Sequence, residues 1–137
     1  QGFTLIELLI TVAVIGIMAA MLIPNLLTAL DKGKQVSTAG LLKSFGQSIE
    51  IYKIDNGMNP DVATVFELIP VLNPYSDSLR PLDEWRYAVD YAHGVDDYSM
   101  ESFGKDGIDG INITPQTRYI FSLDTVYSGG QFTASVD

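Results

Sequence analysis

The chain has 137 residues, 47% of them apolar and only 18% charged, with 17 Asp and Glu against 8 Lys and Arg for a net charge of −9. One domain fits in that length and two ordinary cores do not. The acidic balance excludes a nucleic-acid binder that works through phosphate contacts, the lack of cysteine excludes disulfides and thiolate or cysteine-zinc chemistry, and the single histidine, His93, excludes any centre built on two.

Charge is missing first from the N-terminal region. Leu8 to Leu30 is a run of 23 residues without an ionisable side chain. As a helix rising about 1.5 Å per residue it spans roughly 35 Å, enough for a hydrocarbon core of about 30 Å. The apolar part of a secretory signal is only about 7–15 residues and follows a basic start, which is absent here. A buried helix apolar on every side would need a larger protein around it. The run is therefore expected in lipid, or in surroundings that imitate lipid. The chain opens on Gln1 and not Met, so an upstream segment is expected to have been removed. Lys32 and Lys34 follow the run and by themselves would draw that end toward the cytoplasm. A basic leader would reverse this and leave residues 31–137 outside.

Two features do not suit a plain anchor. Glu7 sits among Phe3, Leu5, Ile6 and Leu8, where an unpaired carboxylate is costly. Pro24 removes one helical hydrogen bond, and Gly16 lies eight residues before it. The stretch between them is the part of the helix most easily unwound.

Gly2-Phe3-Thr4-Leu5-Ile6-Glu7-Leu8, running into about twenty apolar residues with Gly16 and Pro24, resembles the N-terminal signature of type IV pilins and type II secretion pseudopilins. The resemblance implies a cut by prepilin peptidase between Gly2 and Phe3, methylation of Phe3 as the new N-terminus, and Glu7 as the carboxylate that pairs with the terminal amine of a neighbouring copy. It also implies a homopolymer: a subunit held in the bacterial inner membrane, then built by a pilus or secretion machinery into a cell-surface or periplasm-spanning filament. The physics of the pairing stands without the family. A negative Glu7 and a positive α-amine in one apolar layer neutralise each other where attraction is strong. The contact runs head to tail, does not close, and so grows a filament. The competing reading is a Glu7 that reaches the headgroups from an ordinary anchor.

The helix is expected to run on to Asn56. Val36, Ala39, Leu42, Phe45, Ile49 and Tyr52 fall at spacings of three and four, a one-sided stripe. Asn56-Gly57 and Pro60 stop the helix. Residues 57–82 form a connector with one short helix, opened by the capping box Thr64-x-x-Glu67 and ended by Pro70. From Trp85 the period becomes two. Trp85, Tyr87, Val89 and Tyr91 alternate with polar or small residues, as do Tyr98, Met100 and Ser102, and Tyr119, Phe121 and Leu123. His93-Gly94 and Ser128-Gly129-Gly130 are turns, the latter leading into Phe132, Ala134 and Val136. The predicted fold is α+β: a long helix, apolar in its first half and amphipathic in its second, packed on an antiparallel sheet of three to four strands. The segments are 1–30, the apolar helix half with Gln1-Gly2 ahead of it, and 31–137, a globular part with its sheet over 85–136. The aromatic row is assigned to the core and not to a stacking platform.

One further motif lies between strands, in the segment from Ser102 to Asn112. Oxygen donors on Asp106, Asp109 and Asn112, with glycines that let carbonyls turn inward, suit a hard cation such as calcium. Eight acidic and two basic residues lie between Asp83 and Asp109, and a divalent cation would relieve their repulsion. Asp83-x-Trp85 with Tyr98-x-x-x-Ser102-Phe103-Gly104-x-Asp106-Gly107 is similar to the C-terminal part of the major pseudopilins of type II secretion. That resemblance implies calcium in this loop, Asp106 as a side-chain ligand and the Phe103 main-chain carbonyl as another. The family's later acidic ligands are not at their usual place, so Asp109 and Asn112 stand in for them, with Asp124 more remote. The alternative is an acidic, solvated turn.

Three functions compete. The first is a filament subunit, either a type IV major pilin or a type II secretion major pseudopilin. The second is a membrane-tethered calcium-binding domain, or a minor tip pilin or adhesin that does not polymerise. The third, an enzyme, finds no nucleophile–histidine pair and no phosphate loop to work with. No organic cofactor and no nucleic-acid partner are expected.

Overall fold

The computed structural model describes residues 2–108 and 125–132. The chain divides into two compact units, Gln1–Gly33 and Lys34–Asp137. Helix α1, Leu5–Asn56, contributes to both. It begins two residues after Phe3 because Thr4 caps it. The Glu7 amide donates to Thr4 Oγ1 at 3.3 Å, and Glu7 Oε2 accepts from the Thr4 amide at 2.9 Å. This is a reciprocal capping box.

In the first unit the helix is long and apolar enough to cross a membrane, with a window of mean hydropathy 2.6 and none of that window buried. Leu9 and Met21 are 71% and 70% exposed. A surface this apolar needs lipid or protein against it. The helix is continuous over Gly16 and Pro24 in the single chain. Thr28 Oγ1 donates to the Pro24 carbonyl at 3.0 Å, one turn on. The expected unwinding belongs to a filament, which a single chain does not present.

In the second unit the sequence stripe holds from Ala39 to Ile49, with Tyr52 packed against the core, and only Val36 falls off it. Gln35, Thr38, Ala39, Leu42, Phe45, Gly46 and Ile49 are buried, whereas Val36 is 59% exposed. The covered face is centred on Leu42 and Phe45, and Val36 points about 120° round the helix from Leu42. Polar and small residues at 35, 38 and 46 belong to that face, which hydrophobicity alone does not mark.

Helix α2, Val65–Leu72, has Thr64 at its N-cap. Thr64 Oγ1 accepts from the Glu67 amide at 3.4 Å, but the Glu67 carboxylate reaches Ala63 N at 3.1 Å instead of the Thr64 amide. Pro70 does not end the helix. It lies inside, and the helix runs on to Leu72. The proline removes one bond to the Phe66 carbonyl, while Leu68 and Leu72, on either side of it, are fully buried and hold the last turn against the core.

Four strands, β1 Asp90–His93, β2 Tyr98–Ser102, β3 Thr125–Ser128 and β4 Gln131–Phe132, form one antiparallel sheet in chain order. Tyr91 faces Met100, and Met100 faces Tyr127. Tyr91, Tyr98, Met100 and Tyr127 are buried with Leu42, Phe45, Ile49 and Leu68 in one core. Tyr91 and Tyr98 of the aromatic row are thus core packing. Burial, with smaller effects from Tyr52 and Asp61, pushes the Tyr91 phenol up to about 12, and its hydroxyl donates to the Pro60 carbonyl at 3.0 Å.

The first strand starts at Asp90 and not at Trp85. Asp83–Tyr87 is a tight loop: Asp83 N donates to the Tyr87 carbonyl at 2.8 Å, and Arg86 adopts φ 74°. The alternation of Trp85 and Tyr87 comes from a loop that packs two aromatics, not from pleating. The expected strand at Tyr119, Phe121 and Leu123 and the positions Ala134 and Val136 lie outside the described residues.

Two glycines allow close approach. A Cβ on Gly46 would run into the Tyr127 ring, and one on Gly107, where φ is 67°, into the Tyr87 ring. Gly46 lets α1 lie directly on the sheet, and its carbonyl accepts from Tyr98 Oη at 3.3 Å.

Candidate functional site

The residues expected to act in assembly lie at the first turn of α1. Phe3 is 92% exposed, and Leu5, Ile6 and Leu8 are exposed around Glu7. Thr4 fixes the carboxylate: Glu7 Oε2 accepts from Thr4 N at 2.9 Å and from Thr4 Oγ1 at 2.8 Å. The negative group therefore sits at the positive end of the helix dipole, oriented and next to the start of the chain. The sequence reading missed the role of Thr4. The signal was present as Thr4-x-x-Glu7, the same pattern that marked α2. Gly2 is exposed.

The candidate metal loop leaves β2 at Ser102. Gly104 and Gly107 take left-handed φ of 63° and 67°, which turns the chain tightly between them. Asp106 is exposed, and its Oδ1 accepts from Ile108 N at 3.2 Å. Phe103 is half-buried. Asp109, Asn112 and Asp124 lie outside the described residues. Among the described residues no three acidic or histidine side chains come together. The described part of the loop thus offers one exposed carboxylate and main-chain carbonyls, hard oxygen donors that fit calcium in kind.

The residue that organises this region is Asp83, which sequence reasoning had only as part of a motif. It is 4% exposed. Its Oδ1 accepts from Trp85 N and Tyr87 N, both at 2.9 Å, and its Oδ2 accepts from Ser102 Oγ at 2.7 Å. Ser102 Oγ in turn accepts from Gly104 N at 3.4 Å. One buried carboxylate, satisfied by three donors, thereby ties the 83–87 loop to the start of the 103–108 turn. The loop is also tied to α1: Glu84 N donates to Thr38 Oγ1 at 3.3 Å, and Ser37 Oγ donates to the Glu84 carboxylate at 2.6 Å. Arg80 pairs with that carboxylate as well. The Ser37 and Arg80 bonds hold the Glu84 carboxyl below its usual value.

Residues 1–23 match the family model described as the prokaryotic N-terminal methylation motif. The chain is 30% identical over 123 residues to the type II secretion system core protein G of Pseudomonas aeruginosa, covering 78% of this chain and 87% of that protein. It is 28% identical over 121 residues to the core protein G of Vibrio cholerae, covering 80% and 83%. A likeness of 48% to the type IV wide pilus major component PilA4 of Thermus thermophilus extends over 56 residues, 41% of this chain and 43% of that one. No solved structure matches the chain.

Proposed function

Since the chain belongs to the family of type IV pilins and type II secretion pseudopilins and is a filament-forming structural subunit, we propose that its filament is a secretion pseudopilus, with this chain as the major subunit. The observation that favours secretion over a surface pilus is coverage. Likeness to the core G proteins takes in 78% of this chain, and likeness to the pilus component takes in 41%. Deleting the gene in its host tests the choice. Proteins normally secreted should accumulate inside the cell envelope. Loss of surface fibres with secretion intact would assign the chain to a pilus instead.

In this reading prepilin peptidase cuts between Gly2 and Phe3, and Phe3 becomes the methylated terminus. The subunit waits in the inner membrane with the apolar half of α1 in lipid. Assembly trades lipid for the helices of other copies, and the Glu7 carboxylate meets the terminal amine of a neighbour. The exposed, unburied run of α1 supports this step, because polymerisation covers it. A non-polymerising tether is not favoured.

Calcium is the second part of the proposal. Asp106 and the Phe103 carbonyl would hold it with Asp109 and Asn112, and the ion would fix the turn after β2. Adding calcium at about 100 times its Kd should stabilise the fold by about 2.7 kcal/mol, read as a rise in melting temperature that EDTA reverses. A melt indifferent to both calcium and EDTA would remove the metal from the account.

A further inference from the structure

We propose that Asp83 presets the turn after β2 for calcium, as a positioning residue that acts through Ser102 and touches no ion itself. The inference rests on the calcium reading above and deepens it by naming what aims one of the ligands. Asp83 is 4% exposed, and three donors already occupy its carboxylate: Trp85 N, Tyr87 N and Ser102 Oγ. Almost none of its surface is open to an ion.

The path from Asp83 to the ligand runs through one planar group. Ser102 is fully buried, and its hydroxyl donates its one proton to Asp83 Oδ2 at 2.7 Å. A carboxylate only accepts, so the hydroxyl proton stays on that side and the Ser102 oxygen is left to accept. It accepts from Gly104 N at 3.4 Å. The Gly104 N–H and the Phe103 C=O belong to one trans peptide unit and point in opposite directions across it. Aiming that N–H at Ser102 therefore aims the Phe103 carbonyl away from Ser102, and this carbonyl is a candidate calcium ligand. Its direction is set before any ion arrives.

The far end of the turn is held from the same loop. Gly107 takes φ 67°, and a Cβ built on it would run into the Tyr87 ring, so the ring lies against the main chain there. Asp83 Oδ1 holds the Tyr87 amide behind that ring at 2.9 Å. Asp106, the side-chain candidate, stands between the two held points, Gly104 and Gly107. The 83–87 loop is itself anchored on α1, where Glu84 N donates to Thr38 Oγ1 at 3.3 Å. A turn ordered in advance loses less freedom on binding and so binds more tightly. Cutting the link from Asp83 should therefore weaken calcium binding over and above any loss of fold stability.

The test is equilibrium dialysis of the EDTA-stripped full chain, in detergent, against calcium, beside melts of the same proteins without calcium. Ser102→Ala removes the relay and keeps the Asp83 charge. Asp83→Asn keeps an acceptor for the two amides and gives up the acceptor for the hydroxyl. Groups that orient a metal's ligands change affinity by about 10–100-fold, so each single change should raise the Kd for calcium at least about ten-fold. The double variant should match Asp83→Asn within about two-fold, because both changes cut one path. A Kd equal to the parent's with a lower calcium-free melt would make Asp83 a fold-holding residue only and overturn the inference. So would a double variant whose loss is the product of the two single losses. Ser102→Ala decides alone if Asp83→Asn does not fold. No calcium retained by the parent would instead overturn the calcium reading on which the inference stands.

Discussion

Replacing Glu7 with glutamine should abolish assembly while leaving the single subunit intact. In the single chain Glu7 caps α1 through Thr4, and glutamine serves the same capping role. What the substitution removes is charge. In an apolar layer, losing one member of an ion pair costs about 3–5 kcal/mol. At about 1.4 kcal/mol per factor of ten, that weakens each subunit contact by more than about 100-fold. Membrane insertion and helix content should match the parent, and sedimentable filament should fall below detection. Filaments of normal yield from Glu7→Gln would show that Glu7 acts as a cap alone. Glu7→Ala removes cap and charge together and would not separate the two.

Gly46→Val should destabilise the globular unit through overpacking alone. A Cβ at this position meets three carbons of the Tyr127 ring, and Tyr127 is 5% exposed with little room to turn. Overpacking of this kind costs about 1–3 kcal/mol. The gain from removing a helical glycine is at most a few tenths for a β-branched residue. The net loss should be about 2 kcal/mol, or a fall of roughly 8–16 °C in melting temperature for a domain of this size. Thermal melts of the full chain in detergent, followed by near-ultraviolet circular dichroism, measure it. Gly40→Ala is the internal control. It lies on the same helix with open space around its Cβ, so it should hold or raise the melting temperature. An unchanged melt for Gly46→Val would mean that α1 does not bear on Tyr127.

The two changes probe different ends of one helix, and they differ in how legible they were. Glu7 stood out because a charge among Phe3, Leu5, Ile6 and Leu8 breaks a local rule. Gly46 did not, because a glycine between Phe45 and Gln47 looks like any helical glycine until the sheet is set against it. The same contrast holds for the carboxylates. Asp106 drew attention as a ligand by its setting among glycines. Asp83 looked like one of several acids near Trp85, yet it is the buried one that holds three donors.

Errors in the strands and in α2 have one cause. Trp85 and Tyr87 alternate like a strand, but the Asp83 side chain supplies their amides with an acceptor, so they need no neighbouring strand. Pro70 reads as a stop, but burial of Leu68 and Leu72 outweighs one missing hydrogen bond.

The amino-acid order alone determined the long helix, its apolar first half, the capping residue Thr64, the placement of Glu7 and the alternation of β2. Each of these depends on neighbours within a few positions, through periodicity, caps and local charge. Only the tertiary structure decided that Gln35, Thr38 and Gly46 join the covered face of α1, that Gly46 must lack a side chain, and that Asp83 is the hub beside the candidate metal loop. Those follow from contacts between residues far apart in the chain, whose partners are set by packing.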